Sequence, residues 1–276
     1  MWNDNSKKPI WIFLILTFSI SWVCEAILIV VEQTGILASG AAGFVIVMFY
    51  RGITVACAPA YATFILLKKR GQISGIKDFF LCIFKTESIL KTVIITAAFF
   101  LFQLIIDLFS GEYLGDMWYS AWIVAPMLAI GIIGGGMEEP GWRGFLQPAL
   151  EEKLPFAVAT LCVGVIWAVW HIPTWFVQSV SQSSLNFLSF AFECVVLSFV
   201  MATLYKLTKS IFACVLFHSW TNALGSIISK SYLADLPDAK FIAISSVQII
   251  AAIVICFYVD KKKNDSQKIN NININP

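Results

Sequence analysis

Three charged side chains lie close together in a stretch of the chain that is otherwise apolar and rich in glycine. Glu138, Glu139 and Arg143 follow the glycines at positions 134–136. A charged group in the middle of a membrane helix costs roughly 2.5–3.5 kcal/mol, so charges in such a helix must face a cavity or one another. Residues four apart share a helix face, which pairs Glu139 with Arg143 and turns Glu138 away from both. We interpret the pair as structural and Glu138 as free to do chemistry.

Pro140 lies directly after the two glutamates. It has no amide hydrogen to bond the carbonyl of Gly136, so a helix through this stretch is predicted to kink or loosen there. The preceding glycines allow neighbouring helices to approach closely. Because broken helices at membrane depth usually line a cavity, we expect the acidic pair to lie beside one.

The chain contains only two histidines, His171 and His218, and both lie in apolar stretches. Asn222 follows His218 by four residues and therefore shares its helix face. A single histidine in a helix is more often a packing residue than a catalyst. Here both histidines accompany an acidic pair, an arginine and a carboxamide, which favours one polar site built from several helices.

These side chains suit hydrolysis by an activated water, since no serine or cysteine lies in an obvious nucleophile setting. Glu138 would take a proton from water and pass it to the leaving amine. His218 and Asn222 would hold the oxyanion, with His171 positioning the water. The alternative gives His171 and His218, with or without a glutamate, to a zinc ion that keeps one open position. The signature HExxH is absent from the sequence, and both alternatives stay open here.

Composition indicates the class of protein that contains this site. Of 276 residues, 59% are hydrophobic and 13% charged, and the mean hydropathy is +0.81. These values indicate a membrane protein and exclude a water-soluble domain, a disordered chain and a nucleic-acid-binding protein. The net charge of +2 is too small to indicate an acidic partner. Seven cysteines are scattered singly, which predicts buried free thiols rather than a disulfide framework or a zinc ribbon.

Hydrophobic stretches long enough to cross a bilayer predict an all-α, polytopic membrane protein of about eight transmembrane helices, forming a single domain over 1–276. The predicted spans are 10–31, 41–67, 91–109, 121–150, 155–177, 185–205, 210–228 and 241–259. Sixteen of the 19 lysines and arginines, Lys7 and Lys8 among them, fall on one side of this map. Only Arg51, Lys230 and Lys240 fall on the other, so both termini are predicted to be cytoplasmic.

Two segments outside the predicted spans have patterns of their own. Ile76, Phe79, Phe80, Ile83 and Phe84 recur at helical spacing, which predicts a short helix lying in the cytoplasmic membrane interface. Residues 260–276 are lysine-rich and then Asn/Ile-rich, and they are predicted to form a disordered cytoplasmic tail. Three further acidic residues lie in or near spans, where local pairing or snorkelling is expected: Glu25, Asp107 and Glu193.

Three motifs, in this order along the chain, resemble those of the CPBP family, which comprises CAAX prenyl endopeptidases and the bacteriocin-processing or immunity proteins also called the Abi family. They are Glu138-Glu139-x-x-x-Arg143, Trp167-x-x-x-His171 and His218-x-x-x-Asn222. The second motif usually begins with phenylalanine, where this chain has Trp167. The resemblance covers a core at 121–230 and implies an eight-helix bundle whose first glutamate activates water for peptide-bond hydrolysis. It implies that Glu138 is the general base, that Glu139 and Arg143 support it, and that His171, His218 and Asn222 complete the site.

The leading hypothesis is an integral-membrane endopeptidase acting on a peptide or a membrane-associated protein, without a nucleic-acid partner. A prenylated CAAX protein is one possible substrate; processing of a signal or bacteriocin peptide, or self-immunity, in a bacterial plasma membrane is favoured. The alternative is a non-proteolytic immunity or scaffold protein that binds a peptide or partner. A small transporter is disfavoured, because it predicts two related halves and the polar residues cluster in the second half.

Overall fold

The structure, a computed structural model, describes residues 9–35, 40–113 and 117–274, with the backbone alone at 41, 117–121 and 263–274. Lys7 and Lys8, used in predicting the orientation, lie outside the described residues. Within these ranges the chain is almost entirely helical, as the composition predicted. The α-helices are α1 (Ile10–Gln33), α2 (Ala41–Arg51), α3 (Ala58–Lys69), α4 (Ile76–Phe84), α5 (Ile89–Ser110), α6 (Met117–Gly134), α7 (Glu139–Gly141), α8 (Gln147–Glu151), α9 (Phe156–Trp170), α10 (Phe187–Thr208), α11 (Ile211–Leu224) and α12 (Ala239–Ile274).

Tighter or wider turns interrupt several of these helices. A π-helical turn at Gly52–Ala56 joins α2 to α3, and a second at Trp142–Leu146 joins α7 to α8. Single 3-10 turns lie at Gly136–Glu138, Ile172–Phe176, Ser181–Ser184 and Ser231–Leu233. The two short strands of the described residues, β1 (Glu112–Tyr113) and β2 (Ile228–Ser229), pair antiparallel and join the chain after α5 to the chain after α11.

Seven helical segments are long and apolar enough to cross a membrane, which makes the chain a multi-pass membrane protein. They are Ile10–Gln33, Ala42–Lys69, Ile89–Ser110, Trp122–Glu151, Phe156–Phe176, Phe187–Thr208 and Ala239–Lys262. Each matches one predicted span. The remaining predicted span, 210–228, corresponds to α11, which has only 14 residues and measures about 21 Å at ~1.5 Å per residue.

Helix α11 is largely enclosed by protein. It packs against α5, α6 and α10, and ten of its residues are buried. A helix that is covered on most sides by other helices does not need to match the roughly 30 Å thickness of a bilayer core. The prediction that both termini are cytoplasmic requires α11 as an eighth crossing and stays a prediction.

The main core lies where α1, α3, α9, α10 and α11 surround the interrupted segment that follows α6. Phe13 of α1 stacks on Phe145 at 5.0 Å between ring centroids and meets the edge of Trp142 at 5.8 Å. Both aromatic residues of the π-helical turn are essentially inaccessible, at 0–1% exposure. The turn that carries the charged motif is therefore held by aromatic packing on the side facing α1.

The predicted short helix is confirmed as α4, which buries Phe79 and Ile83 while Ile76, Phe80 and Phe84 stay exposed. The backbone of α12 continues as a helix to Ile274, whereas the sequence predicted a disordered tail from 260. No glycine or proline lies between Ala239 and Asn275, which is compatible with a continuous helix. All seven cysteines are free thiols, as predicted.

The other acidic residues in the predicted spans are paired, which explains how each is accommodated. Glu25 on α1 forms an ion pair with Arg51, at 2.9 Å. Lys230 lies 3.3 Å from Asp107 and 3.0 Å from Glu193, which ties α5 and α10 to the segment that follows β2. The expected local pairing is therefore present at all three.

Candidate active site

The backbone loosens at the acidic pair. Helix α6 ends at Gly134, the chain makes a 3-10 turn at Gly136–Glu138, and α7 lasts only from Glu139 to Gly141 before the π-helical turn begins. The loosening predicted from Pro140 is therefore confirmed. The missing amide hydrogen of Pro140 removes one helical hydrogen bond, so the chain can change pitch at the point where its charged side chains must leave the helix.

Two glycines let α11 come directly against this turn. A β-carbon at Gly135 would lie 2.4 Å from Nδ2 of Asn222 and 2.9 Å from Nε2 of His218. A β-carbon at Gly136 would lie 2.7 Å from Oγ of Ser219. Any larger residue would push α11 away, so the glycines set the distance between the first and third motifs.

Glu138 is buried, with 4% of its surface exposed, and two indole groups bind it. Nε1 of Trp142 donates to Oε2 at 3.0 Å, and Nε1 of Trp167 donates to the same oxygen at 2.7 Å. Glu138, which its spacing from Arg143 indicated to be free, is therefore held by two hydrogen bonds. Trp142 lies four residues after Glu138, a helical spacing that could have indicated the first contact. The contact from Trp167 on α9 has no signal in the sequence.

Glu139 is fully buried and binds two cationic or potentially cationic groups. Nη1 of Arg143 lies 3.2 Å from Oε1 and 3.1 Å from Oε2, so the predicted ion pair is confirmed. Nδ1 of His218 lies 2.7 Å from Oε1. Arg143 also donates through Nη2 to Oγ of Ser198 at 3.1 Å, and its guanidinium lies 5.5 Å from the ring of Trp167. Glu139 thus connects α11 to the motif turn, a role that the sequence did not show.

His171 forms the C-terminal cap of α9, six residues before the end of the span predicted at 155–177. Its Nδ1 lies 2.8 Å from the carbonyl oxygen of Trp167. A carbonyl only accepts, so Nδ1 carries the hydrogen and Nε2 is left as an acceptor. Both histidine rings contact the indole of Trp167, His171 at 5.7 Å and His218 at 5.3 Å between centroids.

The structure therefore gathers Glu138, Glu139, Arg143, His171 and His218 around Trp167. Asn222, the sixth predicted site residue, lies one turn beyond His218 against Gly135, and its side chain is exposed. All three motifs meet, although they lie on three separate elements, the interrupted segment, α9 and α11. Which of these residues are catalytic stays a prediction.

Comparison with known proteins finds a family that this part of the chain resembles. Residues 120–224 match the family described as "Type II CAAX prenyl endopeptidase Rce1-like". We refer to residues 120–224 as the Rce1-like domain, after the family that they resemble. The match includes all six predicted site residues and overlaps most of the core predicted at 121–230. This match supports a membrane endopeptidase.

Two curated proteins are similar to the chain well beyond the Rce1-like domain. One is "CAAX prenyl protease 2" of Methanococcus maripaludis, 26% identical over 223 residues, which cover 74% of this chain and 79% of that protein. The other is "Lysostaphin resistance protein A" of Staphylococcus haemolyticus, 27% identical over 210 residues, covering 72% of this chain and 55% of that protein.

The turn that follows His171 in the Rce1-like domain is fixed by a polar network that the sequence did not predict. Arg51 donates to Oε1 of Glu25 and to Oγ1 of Thr174, both at 2.9 Å. Thr174 in turn donates to Oε1 of Glu25 at 3.2 Å. Because Thr174 lies three residues after His171, this network connects α1 and α2 to the end of α9.

The donor set of the Rce1-like domain only partly suits a zinc ion. His218 and His171 each have Nδ1 bonded to an acceptor, a carboxylate or a carbonyl, which is the usual outer arrangement of zinc-binding histidines. Catalytic zinc sites generally use three protein ligands. Among the residues that the structure describes, no group of three or more His, Cys, Asp or Glu side chains has the geometry to hold a metal ion.

Proposed function

We propose that this chain is an intramembrane endopeptidase in which the Glu138 carboxylate activates a water molecule for attack on a peptide bond. The observation that carries the proposal is the environment of Glu138. It is a buried carboxylate bonded by two indoles, one of which also contacts both histidine rings, inside an Rce1-like protease domain. A buried carboxylate with such partners suits proton transfer, because its position is fixed and bulk water does not compete for it.

In the proposed reaction, Oε1 of Glu138 accepts a proton from the water while Oε2 stays bonded to the indoles. The resulting hydroxide attacks the carbonyl carbon of the scissile bond, and Glu138 then passes the proton to the leaving amine. Nε2 of His171 accepts a hydrogen bond from the same water and orients it, since Nδ1 of that ring is already donating to Trp167.

His218 and Asn222 are proposed to stabilise the oxyanion that forms on the scissile carbonyl. With Nδ1 of His218 bonded to Glu139, its Nε2 faces the backbone at Gly135 beside Nδ2 of Asn222. In its protonated form His218 donates from Nε2, and the amide of Asn222 supplies the second donor. The Glu139 carboxylate compensates the charge of the imidazolium.

The proposed substrate is a peptide or a membrane-associated protein, cleaved near the cytoplasmic face of a bacterial plasma membrane. The name of the Methanococcus maripaludis relative supports a prenylated CAAX protein as one candidate. Processing of a signal or bacteriocin peptide, or self-immunity, is the other candidate class.

A non-proteolytic immunity or binding protein is the second candidate function. The observation that favours it is the name of the Staphylococcus haemolyticus relative, which describes resistance. In such a protein the polar cluster around Trp167 would hold the helices together and Glu138 would have no reaction to perform.

The test compares cleavage of a quenched fluorescent peptide library by the purified wild type and by Glu138→Gln in detergent, each with and without a metal chelator. We expect wild-type cleavage that is insensitive to the chelator and is lost in Glu138→Gln, with both proteins folded. Loss of wild-type cleavage on chelation, restored by zinc, would instead support the alternative in which His171 and His218 bind a metal. Cleavage by neither folded protein would support the binding function.

A further inference from the structure

Two tryptophan side chains from different parts of the chain converge on one oxygen atom of Glu138. Trp142 belongs to the π-helical turn and Trp167 to α9, and their indole nitrogens lie 3.0 and 2.7 Å from Oε2. Both tryptophans are buried, at 0% and 3% exposure. Together they hold the carboxylate from two directions, which determines its rotamer and distinguishes its two oxygens.

We propose that Trp142 and Trp167 are positioning residues that hold Glu138 by Oε2 and thereby leave Oε1 to take the proton from water. The inference rests on the proposed function and adds two residues to the reaction. Phenylalanine at either position would preserve an aromatic ring but could not donate, so the indole N–H group, and not the ring alone, is what matters.

The two donors act on the charge as well as on the position of Glu138. A hydrogen bond to an ionised group favours the ionised form, and it is stronger than one between neutral groups. Two such bonds favour the carboxylate form of Glu138, whereas its burial favours the neutral acid. The ionised form is the one that can accept a proton from water.

Trp167 also contacts both histidines and so fixes their positions relative to Glu138. The ring of Trp167 contacts His171 and His218, and the Arg143 guanidinium lies over the same ring. The carbonyl oxygen of Trp167 accepts a hydrogen bond from Nδ1 of His171. A change from tryptophan to phenylalanine leaves the backbone contact with His171 and removes only the indole N–H and part of the ring. That substitution therefore isolates the bond to Glu138 better than a change to alanine.

The experiment measures kcat, KM and the pH–rate profile of Trp142→Phe and Trp167→Phe in detergent, using the peptide of the library that wild type cleaves fastest. Trp220→Phe is the matched control, because its indole donates to the carbonyl oxygen of Phe100 on α5. We expect each of the two variants to lower kcat about 10- to 100-fold with KM within about twofold of wild type. The acid limb of the profile should move to higher pH by about one pH unit, and the control should behave as wild type.

A second readout does not need a substrate. In protein labelled with ¹⁵N at tryptophan, the two indole resonances assigned through the phenylalanine variants should shift in Glu138→Gln, whereas that of Trp220 should not. Unchanged indole resonances, or phenylalanine variants with the wild-type kcat and pH profile, would overturn the inference. So would loss of folding in both variants while the control folds, because the indoles would then be structural.

The outcomes separate this inference from the proposed function. If Glu138→Gln abolishes cleavage while both phenylalanine variants match the wild type, only the positioning role fails. If Glu138→Gln cleaves as fast as the wild type, the proposed function fails first and the positioning role fails with it.

Discussion

Nδ1 of His218 on α11 lies 2.7 Å from Oε1 of Glu139, the same oxygen that Nη1 of Arg143 approaches at 3.2 Å. One buried carboxylate thus binds a residue four positions along its own segment and a residue 79 positions away. Because the carboxylate only accepts, His218 must donate from Nδ1 and presents Nε2 to the site. Glu139 therefore sets the tautomer and orientation of His218 while it neutralises Arg143.

Replacing Glu139 with glutamine is expected to reduce both stability and activity. The amide leaves the buried Arg143 without a counter-charge, a change that typically costs about 3–5 kcal/mol. It also weakens the hydrogen bond that orients His218. We therefore expect cleavage to slow about 10- to 100-fold. Thermal unfolding in detergent and cleavage of the peptide library measure the two effects.

The double variant Glu139→Gln with Arg143→Met is the control for the Glu139 prediction. It removes both charges, so it should recover much of the lost stability while cleavage stays low. Wild-type cleavage by either variant would contradict the proposed link between Glu139 and His218.

Gly135→Ala is expected to abolish cleavage, because the added β-carbon would lie 2.4 Å from Nδ2 of Asn222 and 2.9 Å from Nε2 of His218. Both side chains would have to move from the positions in which they face the site. Gly134→Ala is the matched control, since a β-carbon there meets nothing within 4 Å. Peptide cleavage by the two variants is the measurement. Equal activity would show that the approach of α11 to the turn is not needed for the reaction.

Arg51→Met is expected to slow cleavage about tenfold and to destabilise the protein, although Arg51 is not among the predicted site residues. The variant leaves Glu25 as an uncompensated buried carboxylate and removes the bond to Thr174, which holds the turn after His171. Thr174→Val removes the hydroxyl without stranding a charge, so it should reproduce part of the kinetic effect with less loss of stability. Steady-state kinetics and thermal unfolding distinguish the two. Wild-type kinetics in both Arg51→Met and Thr174→Val would contradict a connection between this network and His171.

Lys230→Met is expected to destabilise the protein by several kcal/mol without changing the kinetics of the remaining folded molecules, since its partners Asp107 and Glu193 would be left unpaired. Burial acts to lower the pKa of the Lys230 ammonium, but the carboxylates of Glu193 and Asp107 outweigh it and raise that pKa above its ordinary value. The stabilisation by this ion pair is therefore fully present below the ordinary lysine pKa of about 10.4 and is lost only as pH rises through the higher folded value.

The contribution of Lys230 to the free energy of unfolding should therefore stay constant from pH 7 to 10. The difference in unfolding free energy between the wild type and Lys230→Met would be constant over that range. A difference that falls steadily between pH 7 and 9 would contradict this account of the ion pair.

Composition and residue spacing were sufficient to predict the membrane class, the all-α fold, the short helix at Ile76–Phe84 and the pair of Glu139 with Arg143. These features depend on local periodicity and on the cost of placing charges in an apolar environment, both of which can be read along one segment of chain. The loosening at Pro140 was predictable for the same reason, because a missing amide hydrogen acts within one turn of helix.

Contacts between segments were decided by the tertiary structure alone. The bonds from Trp167 to Glu138, from His218 to Glu139 and from Arg51 to Thr174 span between 29 and 123 positions of sequence. No local pattern specifies which faces of three helices will meet, because packing depends on the shapes of all the surrounding side chains at once. The sequence thus identified the residue types able to perform hydrolysis, and only the packing of α9 and α11 against the interrupted segment determined which atoms of those residues are held and which face the site.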